Sequence, residues 1–287
     1  MRILLTGGSG QLARALQGAF ADRDLACLDH AALDLADPAA LAAALRAHRP
    51  QVVLNAGAHT GVDLCETQPD LAFRVNAEAV GHLAEGCAAS GALLVQVSTD
   101  YVFDGLATRP YREADPTGPA TVYGRTKLEG EVRARRAPRH LIVRTGWLFE
   151  AWGRNFLRTM LRAAGEGRSL RVVADQRGTP TSCRALARQL RLAVDGGWEG
   201  LVHATCGGET TWHGFAAEIF RQRGLNPDLT ACATADYPAA APRPAYSVLC
   251  NAHRRSLGAD AMPDWEEALA EVLADPLLDA PSRSPEA

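Results

Sequence analysis

Tyr123 and Lys127 are the side chains of this sequence whose types and spacing point most directly to chemistry. They lie four residues apart in VYGRTKLEGE, so on a helix they share one face. Lys127 is the single lysine among 30 lysine and arginine residues. Its ammonium is a compact charge on a flexible side chain, whereas a guanidinium is a rigid planar group. A phenol has an ordinary pKa of about 10, which a neighbouring ammonium would lower. The pair predicts proton transfer by Tyr123, although this spacing is also common by chance.

Thr99 is a second candidate, placed where an apolar run ends in Ser98-Thr99-Asp100. The carboxyl end of a parallel strand faces the ligand crevice, so the Thr99 hydroxyl can hydrogen-bond a reacting oxygen. A turn or a cap is the alternative role, and it would be preferred if Thr99 stood alone. Thr99 lies 24 residues before Tyr123, and this placement strengthens the signal of the Tyr123 and Lys127 pair.

A glycine-rich turn lies at the N-terminus, in LLTGGSGQLARAL. Gly7 and Gly10 follow an apolar strand and precede a helical pattern, with Ala13 at the third position of the spacing. Glycines there let the backbone approach a pyrophosphate, which the free N–H groups and dipole of the helix N-terminus attract. The segment predicts dinucleotide binding rather than a purely structural turn.

Two further segments suit the remainder of a dinucleotide. Asp29 closes the second strand, where an acidic residue usually holds the adenosine ribose, and it would favour NADH because it repels a 2′-phosphate. A plain cap is the alternative role for Asp29. Asp34 and Leu35 follow in a loop that could border the adenine. His59 and Thr60 follow the third strand, and His59 is either a cofactor contact or a surface histidine.

The elements that position these residues alternate between strand and helix. Strands are predicted at Ile3–Leu5, Leu25–Leu28, Val52–Leu54, Leu93–Val97 and His140–Arg144, and helices at Leu12–Phe20, Pro38–Arg46, Leu71–Ser90 and Thr126–Arg136. This order predicts an α/β fold with a Rossmann-type doubly wound parallel sheet. Residues 1–146 form the predicted dinucleotide-binding domain, with 184–206 able to return to it. Residues 147–275 form a smaller C-terminal α/β substrate domain, and 276–287 a frayed tail.

Bulk composition excludes several function classes. The net charge is −3 and the pI about 6.2, so nucleic-acid binding has no electrostatic support. The seven scattered cysteines lack C-x-x-C pairs, which disfavours disulfides and a zinc site and favours a cytoplasmic protein. No apolar run reaches the roughly 18 residues of a membrane span.

The motifs together resemble the dTDP-4-dehydrorhamnose reductase family of extended short-chain dehydrogenases/reductases. The segments that carry the resemblance, from residue 1 to about 273, are TGGSGQL, NAGAHTGVDLCE, STDYVFDG, VYGRTKLEGE, RTGWLF, DQRGTPT, TTWHGFA and RPAYSVL. The resemblance implies NADPH- or NADH-dependent reduction of dTDP-4-dehydro-β-L-rhamnose to dTDP-L-rhamnose, the last step of dTDP-L-rhamnose formation. It leaves a homodimer possible.

The resemblance also assigns roles. Thr99, Tyr123 and Lys127 would be catalytic. The implied cofactor contacts are Gly7, Gly10, Gln11, Leu12, Asp29, Asp34, Leu35, Ala58, His59, Thr60, Tyr123 and Lys127. The sugar would meet Thr99, Asp100, Trp147 and Gln176, with a buried core position as the alternative for Trp147. Some relatives bind Mg²⁺ through glutamates, but Ala15 and Arg184 stand at the matching positions, so no metal site is predicted.

Two rival functions stay open at this point. A sugar-nucleotide epimerase or dehydratase would share the fold, but Thr99 is followed by Asp100 and Tyr101 rather than by the Asp-Glu pair of dehydratases. A non-catalytic dinucleotide-binding regulatory subunit would have no need of Thr99, Tyr123 and Lys127. A reductase consumes its reduced cofactor stoichiometrically, and this separates it from both rivals.

Overall fold

Apolar runs set the strands of this protein, whose computed structural model describes residues 1–278. The strands in chain order are β1 (Arg2–Thr6), β2 (Asp24–Leu28), β3 (Val52–Asn55), β4 (Leu93–Thr99), β5 (His140–Thr145), β6 (Leu148–Phe149), β7 (Leu170–Val173), β8 (Arg177–Gly178), β9 (Thr181–Ser182), β10 (Gly200–His203), β11 (Thr210–Thr211) and β12 (Leu229–Cys232). A main sheet has the order β2-β1-β3-β4-β5-β10, and all its neighbouring strands are parallel. The order reverses beside β1, so the crevice expected for a ligand lies between the ends of β1 and β3.

The helices connect these strands. They are α1 (Gln11–Ala19), α2 (Pro38–His48), α3 (Val62–Thr67), α4 (Pro69–Phe73), α5 (Ala79–Ser90), α6 (Val122–Ala134), α7 (Phe156–Gly165), α8 (Cys183–Asp195), α9 (Trp212–Arg223), α10 (Ala252–Ser256) and α11 (Trp265–Leu273). The helix predicted at Leu71–Ser90 is divided by a π-helical turn at Arg74–Glu78. The helix predicted from Thr126 begins instead at Val122, because the Thr121 side chain accepts a hydrogen bond from Gly124 N and caps it.

Both faces of the main sheet are buried. Along β1, Ile3 and Leu5 belong to one apolar cluster and Leu4 to another, because successive side chains of a strand point to opposite faces. Helices α1 and α8 contribute to the first cluster, and α2 and α5 to the second. The predicted Rossmann-type doubly wound sheet is therefore confirmed.

The C-terminal part of the chain divides between the main sheet and smaller sheets. Strand β10 pairs with β5 in the main sheet, and α8 packs beside it in the first cluster. The other late strands form two-stranded pairs, β7 with β12, β8 with β11, and β6 with β9. These pairs follow β5 in the chain, and of their residues only Leu148 of β6 lines the site described below.

The predicted frayed tail, 276–287, falls mostly outside the described residues. Its first three residues, Pro276–Leu278, form a short 3-10 helix. Within residues 1–278, every helix is too short or too polar to cross a lipid bilayer.

Candidate active site

A cleft of about 750 Å³ opens at the carboxyl ends of the main-sheet strands. The predicted site residues that line it are Gly7, Gly10, Gln11, Leu12, Asp34, Leu35, Ala58, His59, Thr60, Thr99, Asp100, Tyr123, Lys127 and Trp147. Asp29 and Gln176 do not line it. The topology thus gathers most of the predicted residues, from loops far apart in the chain, into one cavity.

The glycine turn after β1 forms one side of the cleft. Gly7 has φ +70°, and a Cβ there would come within 2.5 Å of Gly57 Cα, so only glycine fits this close crossing of two strand ends. Helix α1 starts at Gly10 with no side-chain acceptor for its first N–H groups. These free donors at a helix N-terminus, facing a crevice, fit the pyrophosphate of a dinucleotide.

Asp29, predicted from sequence to hold the adenosine ribose, is not among the residues that line the cleft. Its Oδ1 accepts a hydrogen bond from Ala32 N at 3.0 Å, and its carbonyl accepts one from Leu33 N at 2.8 Å. One carboxylate oxygen therefore caps the following turn, which is the alternative role left open from sequence. His30 lines the cleft beside Asp34, with 4.0 Å between His30 Nδ1 and Asp34 Oδ1. The ribose contact of Asp29 and its preference for NADH stay predictions.

The segment after β3 is held by a residue that the sequence analysis missed. Asn76 lies in the π-helical turn, and its side chain accepts from His59 N at 2.8 Å and donates to His59 O at 3.1 Å. A π-helical turn inside a helix often marks a functional position. The turn therefore fixes the backbone of Ala58, His59 and Thr60 along the cleft.

Three buried polar atoms of the cleft wall have no hydrogen-bond partner within residues 1–278. They are His59 Nε2, Asp100 Oδ2 and Thr145 Oγ1, and all three residues line the cavity. Buried polar atoms normally find partners, so these three are suited to a polar ligand. Thr145 was missed, although it ends β5 just as Thr99 ends β4, and the same strand-end rule would have found it.

Thr99, Tyr123 and Lys127 converge at the inner end of the cleft. Thr99 ends β4, and its hydroxyl donates to Asp100 Oδ1 at 2.9 Å and accepts from Tyr101 N at 3.2 Å. Tyr123 lies in the first turn of α6, with its ring edge-to-face against Tyr101 at 5.6 Å. Gly124 permits this placement, since a Cβ there would overlap Tyr101 O.

Burial decides the protonation of the tyrosine and the lysine. It is the largest cause acting on Tyr123 and raises the pKa of the phenol above its usual value, while the Thr99 side chain opposes the shift. Burial also lowers the pKa of Lys127 to about 8, and the charge of Glu131 opposes it. Lys127 Nζ donates to Val97 O at 2.6 Å. The pKa of Tyr123 is thus raised on balance, not lowered as the sequence predicted, because burial is the largest cause acting on it. The phenol stays protonated at neutral pH, as a proton donor must.

A buried ion pair supports this end of the cleft from behind. Arg144 donates to Glu131 at 2.8 and 2.7 Å in a bidentate pair, and Ser98 Oγ donates to Glu131 at 2.6 Å. The Arg144 and Glu131 side chains are 3% and 2% exposed. Glu131 lies one turn after Lys127 on α6, so the same carboxylate fixes the helix to β5 and stabilises the lysine charge.

Asp100 is a buried acid at the same end. Burial raises its pKa to about 6, and hydrogen bonds, including the one from Thr99, act against burial. Gly146 leaves room for the carboxylate, because a Cβ there would lie 2.8 Å from Asp100 Cγ. Asp100 thus lines the cleft as an acceptor beside Thr99, Tyr123 and Lys127.

Trp147 forms a further part of the cleft wall, and Gln176 lies behind it. Trp147 lines the cleft with φ +51°, a conformation that bulky residues rarely adopt. Gln176 is 8% exposed and bonds Trp212, whose ring stacks on Trp147. The alternative of a wholly buried Trp147 does not hold, and the effect of Gln176 on the cleft is indirect.

Ala15 and Arg184, the two positions that the sequence comparison considered for a metal, make other contacts. Ala15 packs in the apolar cluster under α1, and Arg184 donates to Glu150 at 2.6 Å and to Asp275 at 2.7 Å. No group of three or more potential metal-ligating side chains is found within the described part of the chain, residues 1–278.

Known proteins match this chain over nearly its whole length. A family model described as the RmlD substrate binding domain matches residues 1–277. A Streptomyces antibioticus protein named probable dTDP-4,6-dihydroxy-2-methyloxan-3-one 4-ketoreductase is 43% identical, covering 96% of this chain and 95% of its own. The dTDP-4-dehydrorhamnose reductase of Streptomyces griseus is 43% identical, covering 94% and 92%.

A solved structure shows the same fold. The dTDP-4-dehydrorhamnose reductase of Bacillus anthracis str. Ames, in complex with NADP, superposes with a TM-score of 0.92. It is 33% identical in sequence, and the match covers 95% of this chain and 98% of that one.

Proposed function

This chain belongs to the RmlD substrate binding domain family, and we propose that it is an NAD(P)H-dependent dTDP-4-dehydrorhamnose reductase. It converts dTDP-4-dehydro-β-L-rhamnose to dTDP-L-rhamnose, the last step of dTDP-L-rhamnose biosynthesis. The observation that carries the proposal is the convergence of Thr99, Tyr123 and Lys127 beside a glycine turn in one cleft. The name of the Streptomyces griseus relative supports the substrate. Such a reaction uses cytoplasmic sugar nucleotides, so we place the protein there.

The cleft fits a nicotinamide dinucleotide, either NADPH or NADH. The N–H groups at the start of α1 would hold the pyrophosphate, with Gly7, Gly10, Gln11 and Leu12 lining that part. Asp34 and Leu35 would border the adenosine end, and Lys127 would hold the nicotinamide ribose. A reduced nicotinamide supplies the hydride when bound. The NADP complex of the Bacillus anthracis protein supports this class of cofactor.

The residues of this chain supply the proton and hold the reacting oxygen. The Tyr123 phenol, protonated because burial raises its pKa, gives its proton to the C4 oxygen of the sugar as negative charge develops there. Thr99 hydrogen-bonds the same oxygen in place of Asp100. The Lys127 ammonium then stabilises the phenolate that remains. A positioned proton donor contributes about 10²–10⁴-fold to the rate.

Sugar binding falls to the other side of the cleft. Asp100 can accept hydrogen bonds from sugar hydroxyls, and the indole of Trp147 suits the apolar face of a deoxyhexose. We assign residues 1–146, with α8 and β10, to cofactor binding, and the rest of 147–275 mainly to the sugar nucleotide. This division follows the membership of β10 in the main sheet.

A second candidate substrate has specific support. The Streptomyces antibioticus relative, also 43% identical, is named for 4-ketoreduction of a different dTDP-sugar. The chemistry at C4 would use the same trio, and only the contacts to the sugar ring would differ.

The test is to follow the absorbance of NADPH and NADH with each of the two dTDP-ketosugars. A dTDP-4-dehydrorhamnose reductase oxidises one cofactor per sugar and prefers the first sugar in kcat/KM. An epimerase or dehydratase would recycle its cofactor without net oxidation. A regulatory subunit would show no ketosugar-dependent oxidation. Either outcome rejects the proposal, and preference for the second sugar selects the alternative substrate.

A further inference from the structure

Trp147 is held in its place at the cleft by contacts from the C-terminal part of the chain. Its backbone adopts φ +51°, and its carbonyl accepts a hydrogen bond from Thr181 N at 3.1 Å. Its indole edge crosses Gly178 so closely that a Cβ there would overlap the ring. A strained conformation of this kind persists only when its surroundings over-determine it.

Trp212 covers one face of the Trp147 ring completely. The two indoles are parallel within 3°, with 3.5 Å between their centroids. Phe156 packs against Trp212 at 4.7 Å from behind. Trp147 lines the cleft and Trp212 does not, so Trp212 is the inner layer of a two-layer aromatic wall.

Gln176 fixes the orientation of Trp212 within this wall. Trp212 Nε1 donates to Gln176 Oε1 at 3.1 Å, and Gln176 Nε2 donates to Thr234 Oγ1 at 3.0 Å. Thr234 is itself bonded to Asp175 at 2.6 Å. These hydrogen bonds restrict the orientation of the Trp212 ring. The stacking contact between the two indoles then restricts the orientation of the Trp147 ring.

We propose that Trp212, fixed by Gln176, is a positioning residue for sugar recognition that holds the Trp147 indole as the flat wall against which the sugar packs. The inference rests on the proposed function and adds two residues that do not line the cleft. A Trp147 ring that is free to move would have to become ordered when the sugar binds, and this ordering costs free energy. Loss of the support should therefore lower sugar affinity rather than slow proton transfer.

The test compares Trp212→Leu with Trp198→Leu, a tryptophan that follows the end of α8 and serves as the matched control. Stacked indoles whose in-plane transition dipoles are rotated relative to one another give an exciton couplet in circular dichroism, which Trp212→Leu should abolish and Trp198→Leu should leave. We expect Trp212→Leu to raise KM for dTDP-4-dehydrorhamnose about tenfold, the scale of a lost aromatic pair. Its kcat and the Kd for NADPH should change less than about threefold.

Gln176→Ala keeps both indole rings, and it is the alternative variant to test if Trp212→Leu does not fold. It should weaken the couplet and raise the same KM by about threefold, the scale of one lost hydrogen bond. An unchanged KM in a folded variant that has lost or weakened the couplet would overturn the inference. So would an equal loss of NADPH affinity. An inactive wild-type enzyme would instead reject the proposed function, because the couplet is measured without any substrate.

Discussion

The two ends of the cleft differ in their access to water. At the inner end, Lys127 and Thr99 are 3% and 5% exposed, and the Arg144–Glu131 pair behind them is buried. At the adenosine end, the His30 and Asp34 side chains are 85% and 52% exposed. Charges interact strongly in the low dielectric of an interior and weakly when water screens them. Each inner group should therefore have large effects when changed, and each outer group small ones.

The largest effect is expected from Tyr123→Phe, which removes the hydroxyl that we propose as the proton donor at the inner end. Turnover should fall about 10²–10⁴-fold, while the Kd for NADPH stays within about threefold, because the ring and its packing remain. Stopped-flow kinetics and fluorescence titration measure the two quantities. Tyr237→Phe is the control, since Tyr237 is 63% exposed. Near-normal turnover of Tyr123→Phe would reject the assignment of the donor.

The buried ion pair should make the next largest difference, in stability. Arg144→Ala leaves Glu131 charged and unpaired in the interior, so the free energy of unfolding should fall by about 3–5 kcal/mol. Urea denaturation measures it. Arg139→Ala is the matched control, because its pair with Glu199 is 50% and 44% exposed and is worth at most about 1 kcal/mol. Equal losses of unfolding free energy in Arg144→Ala and Arg139→Ala would show that the buried ion pair contributes no more to stability than the exposed one.

The pH dependence of the reaction follows from Lys127. Burial lowers the pKa of Lys127 to about 8, so its charge is complete below that pH and lost above it. We expect kcat/KM for NADPH to fall as the pH rises through about 8, since this parameter reports the free enzyme. In Lys127→Arg, the residual activity should lack this limb, because a guanidinium stays charged. An identical limb in the variant would assign it to another group.

The deprotonation of Lys127 should raise stability, although it should lower activity. Its pKa when folded is lower than when unfolded, so the folded chain binds fewer protons between the two values. The free energy of unfolding should therefore gain a contribution as the pH rises from about 8 towards about 10.4. Denaturation of wild type and Lys127→Met across this range measures the gain, which the variant should lack. The same gain in Lys127→Met would assign it to another group.

The smallest effect is expected from Asp29→Asn at the adenosine end. Asparagine can still accept the hydrogen bond from Ala32 N, so the substitution removes only the charge. The ratio of the Kd values for NADPH and NADH should change by less than about fivefold, the scale of an exposed charge. Asp24→Asn, at the exposed start of β2, is the control. A much larger gain in NADPH affinity would restore Asp29 as the ribose ligand predicted from sequence.

Much of the site could be predicted because its residues follow local rules. Gly7 and Gly10 lie between a strand and a helix. Thr99 ends β4 and Thr60 follows β3, and the carboxyl ends of parallel strands meet at one edge of the sheet. Asn76, Thr145 and Trp212 escaped prediction. Each acts on a residue far away in sequence or faces a cavity that exists only after folding.

The sequence by itself determined the alternation of strands and helices, the glycine turn, and the four-residue spacing of Tyr123 and Lys127, because these depend on neighbours along the chain. Tertiary structure alone decided that Asp29 caps its own turn and that Trp212 stacks on Trp147. It also decided that burial is the largest cause acting on the pKa of Tyr123. The physical reason is that burial and side-chain contacts are properties of the folded interior, where distant segments together exclude water.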